Sequence, residues 1–210
     1  TLAPGPFRTV SRVLDGETLA LDDGSEVRLI GALAPRASDA GAAAGTWPPE
    51  QAAISFLSAL VLGRRVRLAY GSDKRNDRYA RHIAHVFLAD GGASDWVQGA
   101  MLAAGWARAY GLPDNCACAS ELLAHEEQAR EAQIGLWTSS IYRPKPASRP
   151  QYLMRLRNKY HRVEGVVEQA LERLADELGV GLHRRVLRAG LELGLAALGR
   201  LIGLQRRFDD

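Results

Sequence analysis

Cysteine is nearly missing from this chain: among 210 residues only Cys116 and Cys118 carry a thiol. A disulfide between residues so close would be strained, and two thiols alone make no zinc site. A disulfide-stapled scaffold and a zinc ribbon are therefore excluded. The pair reads as small side chains at a helix entrance, with a reactive thiol at a helix N-terminus as the alternative. No run of about 18 uncharged apolar residues is present, so nothing in the sequence clearly spans a bilayer. The start at Thr1 has neither a basic n-region nor an apolar h-region, and no leader is legible. Strong charge of one sign is also lacking. The formal net charge is +3 and the sequence pI about 9.1, which permits a polyanionic partner without demanding one. Aromatic residues make up only 7% of the chain, and nowhere do they interleave with basic residues as in a single-strand stacking platform. The five histidines are dispersed; His82 and His85, three apart on an expected strand, face opposite sides and cannot share a metal.

What is present is apolar residue at 47%, enough for one sizeable core with something appended. Residues 1–6, rich in proline and glycine, are expected to be loose. From Phe7 the pattern alternates as strands, "FRTVSRVL" and then "TLALDDGSEVRLIG", with turns at Asp15-Gly16 and Asp23-Gly24. "ALAPRASDAGAAAGTWPP" is expected to be a long loop, and Trp47 either covers the barrel or stays exposed. Pro49 and Glu50 open a helix with Ala53, Phe56, Leu57 and Leu60 at helical spacing. "RRVRLAY" and "HIAHVFLA" are strands flanking the charged loop "GSDKRNDRYAR", in which Asp77 is expected to organise the backbone. Helices follow near "SDWVQGAMLAAG" and "CASELLAHEEQAREAQ", and Trp96, Trp106 and Trp137 are expected to pack the core. Five short strands with helices inserted late predict a small barrel with helices packed on it.

The pieces "VLDGETLAL", "VRLIGALAP", "DRYARHIAHVF", "WVQGAMLAAGWARAY" and "EEQAREAQIGLW" follow one another over about residues 7–138. In that order the chain resembles the staphylococcal-nuclease (thermonuclease) family. The resemblance implies an α+β, mainly β, fold: a five-stranded OB-type barrel with three helices. It also implies an ancestral calcium-dependent hydrolysis of phosphodiesters in DNA and RNA. In such chemistry a hard cation held by oxygen ligands polarises the phosphate, two guanidiniums clamp its oxygens, and a carboxylate activates water. By resemblance, Arg28 and Arg81 stand at the two catalytic arginines, Tyr79 at the motif's tyrosine, and Glu17 at an acidic metal ligand.

Two positions depart from that pattern. Leu33 stands where a second metal carboxylate belongs, and Arg36 where the water-activating glutamate belongs; Ala34 offers only a backbone carbonyl. No metal is expected at the degenerate set Glu17, Leu33 and Ala34, and calcium only if the ancestral activity survives. Taken alone, Glu17 reads as a turn or surface carboxylate, or as the partner of one arginine. Arg28, Arg36 and Arg81, with Tyr79, are candidates for binding nucleic acid or another phosphorylated anion, with the three guanidiniums converging on one rim. A rearranged active site on Glu17, Asp15, Asp39 and the arginines is the competing reading. Residues 139–160, with Pro144, Pro146 and Pro150, are expected to form a basic linker. Residues 161–210 are expected to be helical, with apolar faces that either fold together or on the barrel, or else mediate self-association or membrane-surface contact through residues 163–204. Family habit implies a bacterial exported, periplasmic or membrane-associated location.

Overall fold

The computed structural model of the chain describes residues 2–90, 95–111 and 115–146, with the backbone of Val163–Glu164. Its core follows from a period of two. Leu19 and Leu21, Val27 and Leu29, Val66 and Leu68, and Ala84 and Val86 alternate along four strands, and all are buried. Those strands are β2 (Thr18–Leu21), β3 (Glu26–Leu29), β5 (Arg65–Tyr70) and β6 (His82–Leu88). With β1 (Ala3–Val13) they close into a barrel in the order β1-β2-β3-β6-β5. Gly24, at φ 83°, turns the chain between β2 and β3, as the Asp-Gly pair predicts. One pairing in the barrel is parallel: β3 lies beside β6 with Val27 opposite His82 and Arg28 opposite Ile83. That pairing brings the "VRLIG" strand next to the end of the charged loop.

Helix α2 (Pro48–Val61) starts with two prolines, which need no hydrogen-bond acceptor in a first turn, and buries Ala53, Leu57 and Val61 one turn apart. Helix α3 (Val97–Ala103) is fastened to the barrel by Gln98. Its carbonyl oxygen accepts the Val86 N–H at 3.0 Å, and its amide donates to Ala84 O at 2.9 Å and Ile30 O at 3.3 Å. A buried side-chain amide with every group occupied fixes where the helix sits. Helix α4 (Ala119–Glu131) packs on α3. A short pair, β4 (Ala32–Leu33) with β7 (Arg108–Ala109), links the end of β3 to the stretch after α3. None of the described helices is long and apolar enough to cross a membrane.

Three boundaries differ from the sequence reading. The strand begins at Ala3 rather than Phe7: Ala3 and Pro4 pair with Tyr70 and Ala69, and a bulge before Phe7 accommodates the prolines. Gly5 permits this approach, since a Cβ there would lie 2.7 Å from Tyr70 Cε2. The long loop is partly regular, holding β4 and the helical turn α1 (Ala37–Ala40). The globular unit also extends beyond Thr138. Tyr142 is buried and packs with Trp47, Trp137, Ala37, Ala129 and Leu136 in a second apolar cluster, so Trp47 is covered rather than exposed. The segment pairs once more at Lys145–Pro146 with Val163–Glu164. The expected C-terminal helices lie outside the described residues.

Candidate functional site

The turn between β1 and β2 is built by its own aspartate. Asp15 Oδ1 accepts the Glu17 N–H at 2.8 Å, and the Glu17 carbonyl accepts the Leu29 N–H at 2.8 Å, which ties the turn to β3. Gly16 lets this turn close on the loop after β4, because a Cβ at residue 16 would meet Ala34 Cβ at 2.6 Å. The Glu17 side chain is thereby directed inward and is only 2% exposed. The surface reading of this carboxylate is therefore corrected.

Glu17 has three partners there. Its Oε2 accepts the Ala34 N–H at 3.1 Å. Its Oε1 lies 3.0 Å from Arg28 Nη2 and also accepts from Arg36 Nη2. Arg28 reaches it from β3, opposite Thr18, while Arg36 comes from the extended residue before α1. One carboxylate against two guanidiniums leaves an excess of one positive charge. The Arg28 and Arg36 side chains are 28% and 52% exposed, so their remaining N–H donors reach solvent.

Arg81 does not join this cluster. It is held by Asp77, with Nη2 2.7 Å and Nε 2.8 Å from Oδ2, and its guanidinium lies 5.1 Å from the centre of the Tyr79 ring. Asp77 also accepts the N–H groups of Tyr79 and Arg81, at 2.8 and 3.1 Å, and so organises the loop as expected. Burial would raise the Asp77 carboxyl, but these bonds hold it below the usual range. Its hydrogen bond to Asp77 raises the pKa of Arg81 against the opposing effect of burial, and the charges of Asp77, Asp15 and Glu26 add to the rise. Two of the three candidate guanidiniums thus share Glu17, and the third has its own carboxylate. Tyr79 is 63% exposed above that pair.

Leu33 lies in β4 opposite Arg108. Asp39, a candidate for the rearranged site, accepts the Arg36 N–H at 3.3 Å, Arg108 Nη2 at 3.2 Å and the Tyr142 hydroxyl at 3.1 Å. It serves the junction between the loop and the second cluster. Tyr110 was not anticipated. Its N–H donates to Gly31 O at 3.1 Å, and with Arg28, Leu29, Ile30 and Ile83 it lines a shallow recess beside Glu17. Burial pushes its hydroxyl above the ordinary value, against the nearby positive charge of Arg28, while Glu17 adds to the rise and Arg36 opposes it. The only signal in the sequence was the aromatic closing "GWARAY". Among the described residues no three or more His, Cys, Asp or Glu side chains gather as metal ligands would.

A five-stranded closed barrel with helices packed on it, and with Arg28 and Arg36 gathered on the Glu17 turn, defines an OB-type barrel of the nuclease kind. A family model, described as staphylococcal nuclease homologue, matches residues 26–139, and the chain belongs to that family. The match begins at β3, so β1, β2 and the Glu17 turn precede it, and Tyr142 lies beyond it. No curated protein matches the chain.

Proposed function

We propose that this member of the nuclease family has lost calcium-dependent phosphodiester hydrolysis and keeps an arginine-lined surface that binds nucleic acid or a related phosphorylated anion. The observation that carries this is the occupancy of Glu17: one oxygen bonded to the Ala34 N–H, the other shared by Arg28 and Arg36. Calcium takes six to eight oxygen ligands, typically with several carboxylates. Here the set offers one engaged carboxylate, the hydrocarbon side chain of Leu33 and the backbone of Ala34, with a guanidinium in place of the missing acid. The residues do not fit the cation. Arg36 instead supplies a fixed positive charge to the carboxylate that a metal would neutralise. It also leaves no carboxylate at the position that the family uses to activate water, a role worth roughly 10²–10⁴ in rate.

Anion binding needs none of those missing groups. The outward N–H donors of Arg28 and Arg36 match the geometry of a phosphate, and the buried Glu17 holds both guanidiniums in place beforehand. Tyr110, lining the same recess as Arg28, adds an aromatic residue next to such a phosphate. The test uses the purified full chain with single-stranded DNA and RNA, in calcium or in chelator. Salt-dependent binding without calcium-stimulated cleavage is expected. Turnover that the chelator abolishes would overturn the reading.

A further inference from the structure

Most arginines with resolved partners are held by carboxylates. Arg8 pairs with Asp23, Arg28 and Arg36 with Glu17, Arg64 with Asp90, and Arg81 with Asp77. Two arginines on β5 differ. Arg65 and Arg67 have no carboxylate partner among the described residues and lie instead on aromatic rings. The Arg65 guanidinium is 4.9 Å from the centre of Phe7, and that of Arg67 4.7 Å from the centre of Phe87.

These four residues share one face. Phe7 on β1 is directly opposite Arg67 on β5, and Arg67 is directly opposite Phe87 on β6, so the three form a rung across the outside of the barrel. Arg65, two residues before Arg67, points the same way, while Val66 between them is fully buried. Phe87 is backed by Trp96, whose ring stacks on it at 12° with centroids 6.2 Å apart. Phe7 is 46% exposed. The rung lies on β1, β5 and β6, whereas Glu17 and Arg28 sit at the β1–β2 turn and on β3.

We infer that this face is a second binding surface, for single-stranded nucleic acid, in which Arg65 and Arg67 take phosphates and the open ring of Phe7 stacks on a base. The chemistry is that of a sequence-tolerant platform: aromatic faces accept any base, and guanidiniums free of carboxylates keep their donors for the backbone. Resting on Phe7 and Phe87 orders the two guanidiniums without neutralising them. A second protein copy is less well matched, because the rung has one exposed large apolar side chain between two uncompensated charges. β5 leads directly into the loop in which Arg75 lies 4.8 Å from the Tyr70 ring and Arg78 4.8 Å from the Tyr79 ring. The same kind of pairing therefore recurs in the loop that follows β5.

This inference rests on the nucleic-acid reading above but not on the Glu17 cluster, and the two separate experimentally. Anisotropy titrations of the full chain would use a labelled oligothymidylate and an abasic oligomer of equal length. Phe7→Ala and Phe7→Leu are expected to weaken oligothymidylate binding about tenfold and leave the abasic oligomer unchanged. Arg65→Gln with Arg67→Gln should weaken both and lower the salt slope by about 1.4. The leucine variant keeps an apolar side chain, so a loss shared by both Phe7 variants is loss of the ring. If all these variants bind as the parent does while Arg28→Gln with Arg36→Gln loses binding, the rung is not a binding surface and the function proposed above stands. If Phe7→Ala weakens both oligomers equally, stacking is refuted. A change in sedimentation of the Phe7 variants without any change in oligonucleotide affinity would assign the face to self-association and overturn the inference. If the parent binds neither oligomer, both readings fail.

Discussion

Replacing Glu17 by glutamine should move stability and anion affinity in opposite directions. The carboxylate is 2% exposed and serves two guanidiniums and one backbone N–H. Glutamine can still accept from the Ala34 N–H, but its neutral amide no longer compensates Arg28 and Arg36. Breaking a buried ion pair on one side costs about 3–5 kcal/mol. Here the two arginine side chains are 28% and 52% exposed and can recover hydration, so the expected loss is smaller, about 2 kcal/mol. For a chain of this size that corresponds to a fall in Tm of roughly 4–8 °C. An incoming phosphate would meanwhile be relieved of a like charge. At a separation of about 6 Å and an effective dielectric of about 40, that repulsion is about 1.4 kcal/mol, a tenfold gain in affinity. Thermal unfolding by circular dichroism and anisotropy with a short single-stranded oligonucleotide read the two effects separately. Weaker oligonucleotide binding by Glu17→Gln would mean that the ordering of Arg28 and Arg36 by the carboxylate outweighs its repulsion of the phosphate, and the expected gain would be refuted.

Two further outcomes follow from the same geometry. Leu33→Asp with Arg36→Glu restores two carboxylates beside Glu17 and removes the resident cation, so calorimetry should detect calcium binding with a Kd on the order of 10⁻³ M; a double variant that folds but binds no more calcium than the parent would refute the account of why the site fails. His85 is fully buried against Trp96, and burial holds its pKa at about 4. Between about pH 6.5 and 4 the unfolded chain takes up a proton that the folded chain excludes, so stability should fall by about 3 kcal/mol as the pH drops through that window. His85→Gln should flatten that part of the melting profile, and identical slopes in parent and variant would exclude His85 as the cause.

The strands and hairpins were readable because their signal is local. Alternation in "TLAL" and "VRL" reports a face whatever lies on the other side of the barrel, and Asp23-Gly24 specifies its turn from two residues. The arginines were readable as candidates through their motif positions. Their partners were not. A carboxylate in a turn is exposed by default, and nothing near Glu17 in the chain announces that Arg36, 19 residues on, will cover it. Tyr142 looked like part of a linker because prolines follow it, yet its ring is buried against the neighbouring Trp137 and against Trp47, which is far away in sequence. The aromatic–arginine rung escaped for a similar reason. Read along the chain, aromatics and bases do not alternate; they do so only across strands, where register sets Phe7, Arg67 and Phe87 side by side.

The first strand is bonded on both flanks, to β2 on one and β5 on the other, and this governs how the molecule can be cut. A fragment beginning at Glu26, where the family match starts, would lose two of the five staves along with Glu17. The remaining three would expose raw edges to neighbouring molecules. Closure joins residues near Phe7 to residues near Arg67 and needs β6 to link β5 to β3, so it must await synthesis as far as Leu88 and belongs to the slower regime of folding. Until then β1 has only a hairpin partner, and for that interval the nascent chain is an open ribbon.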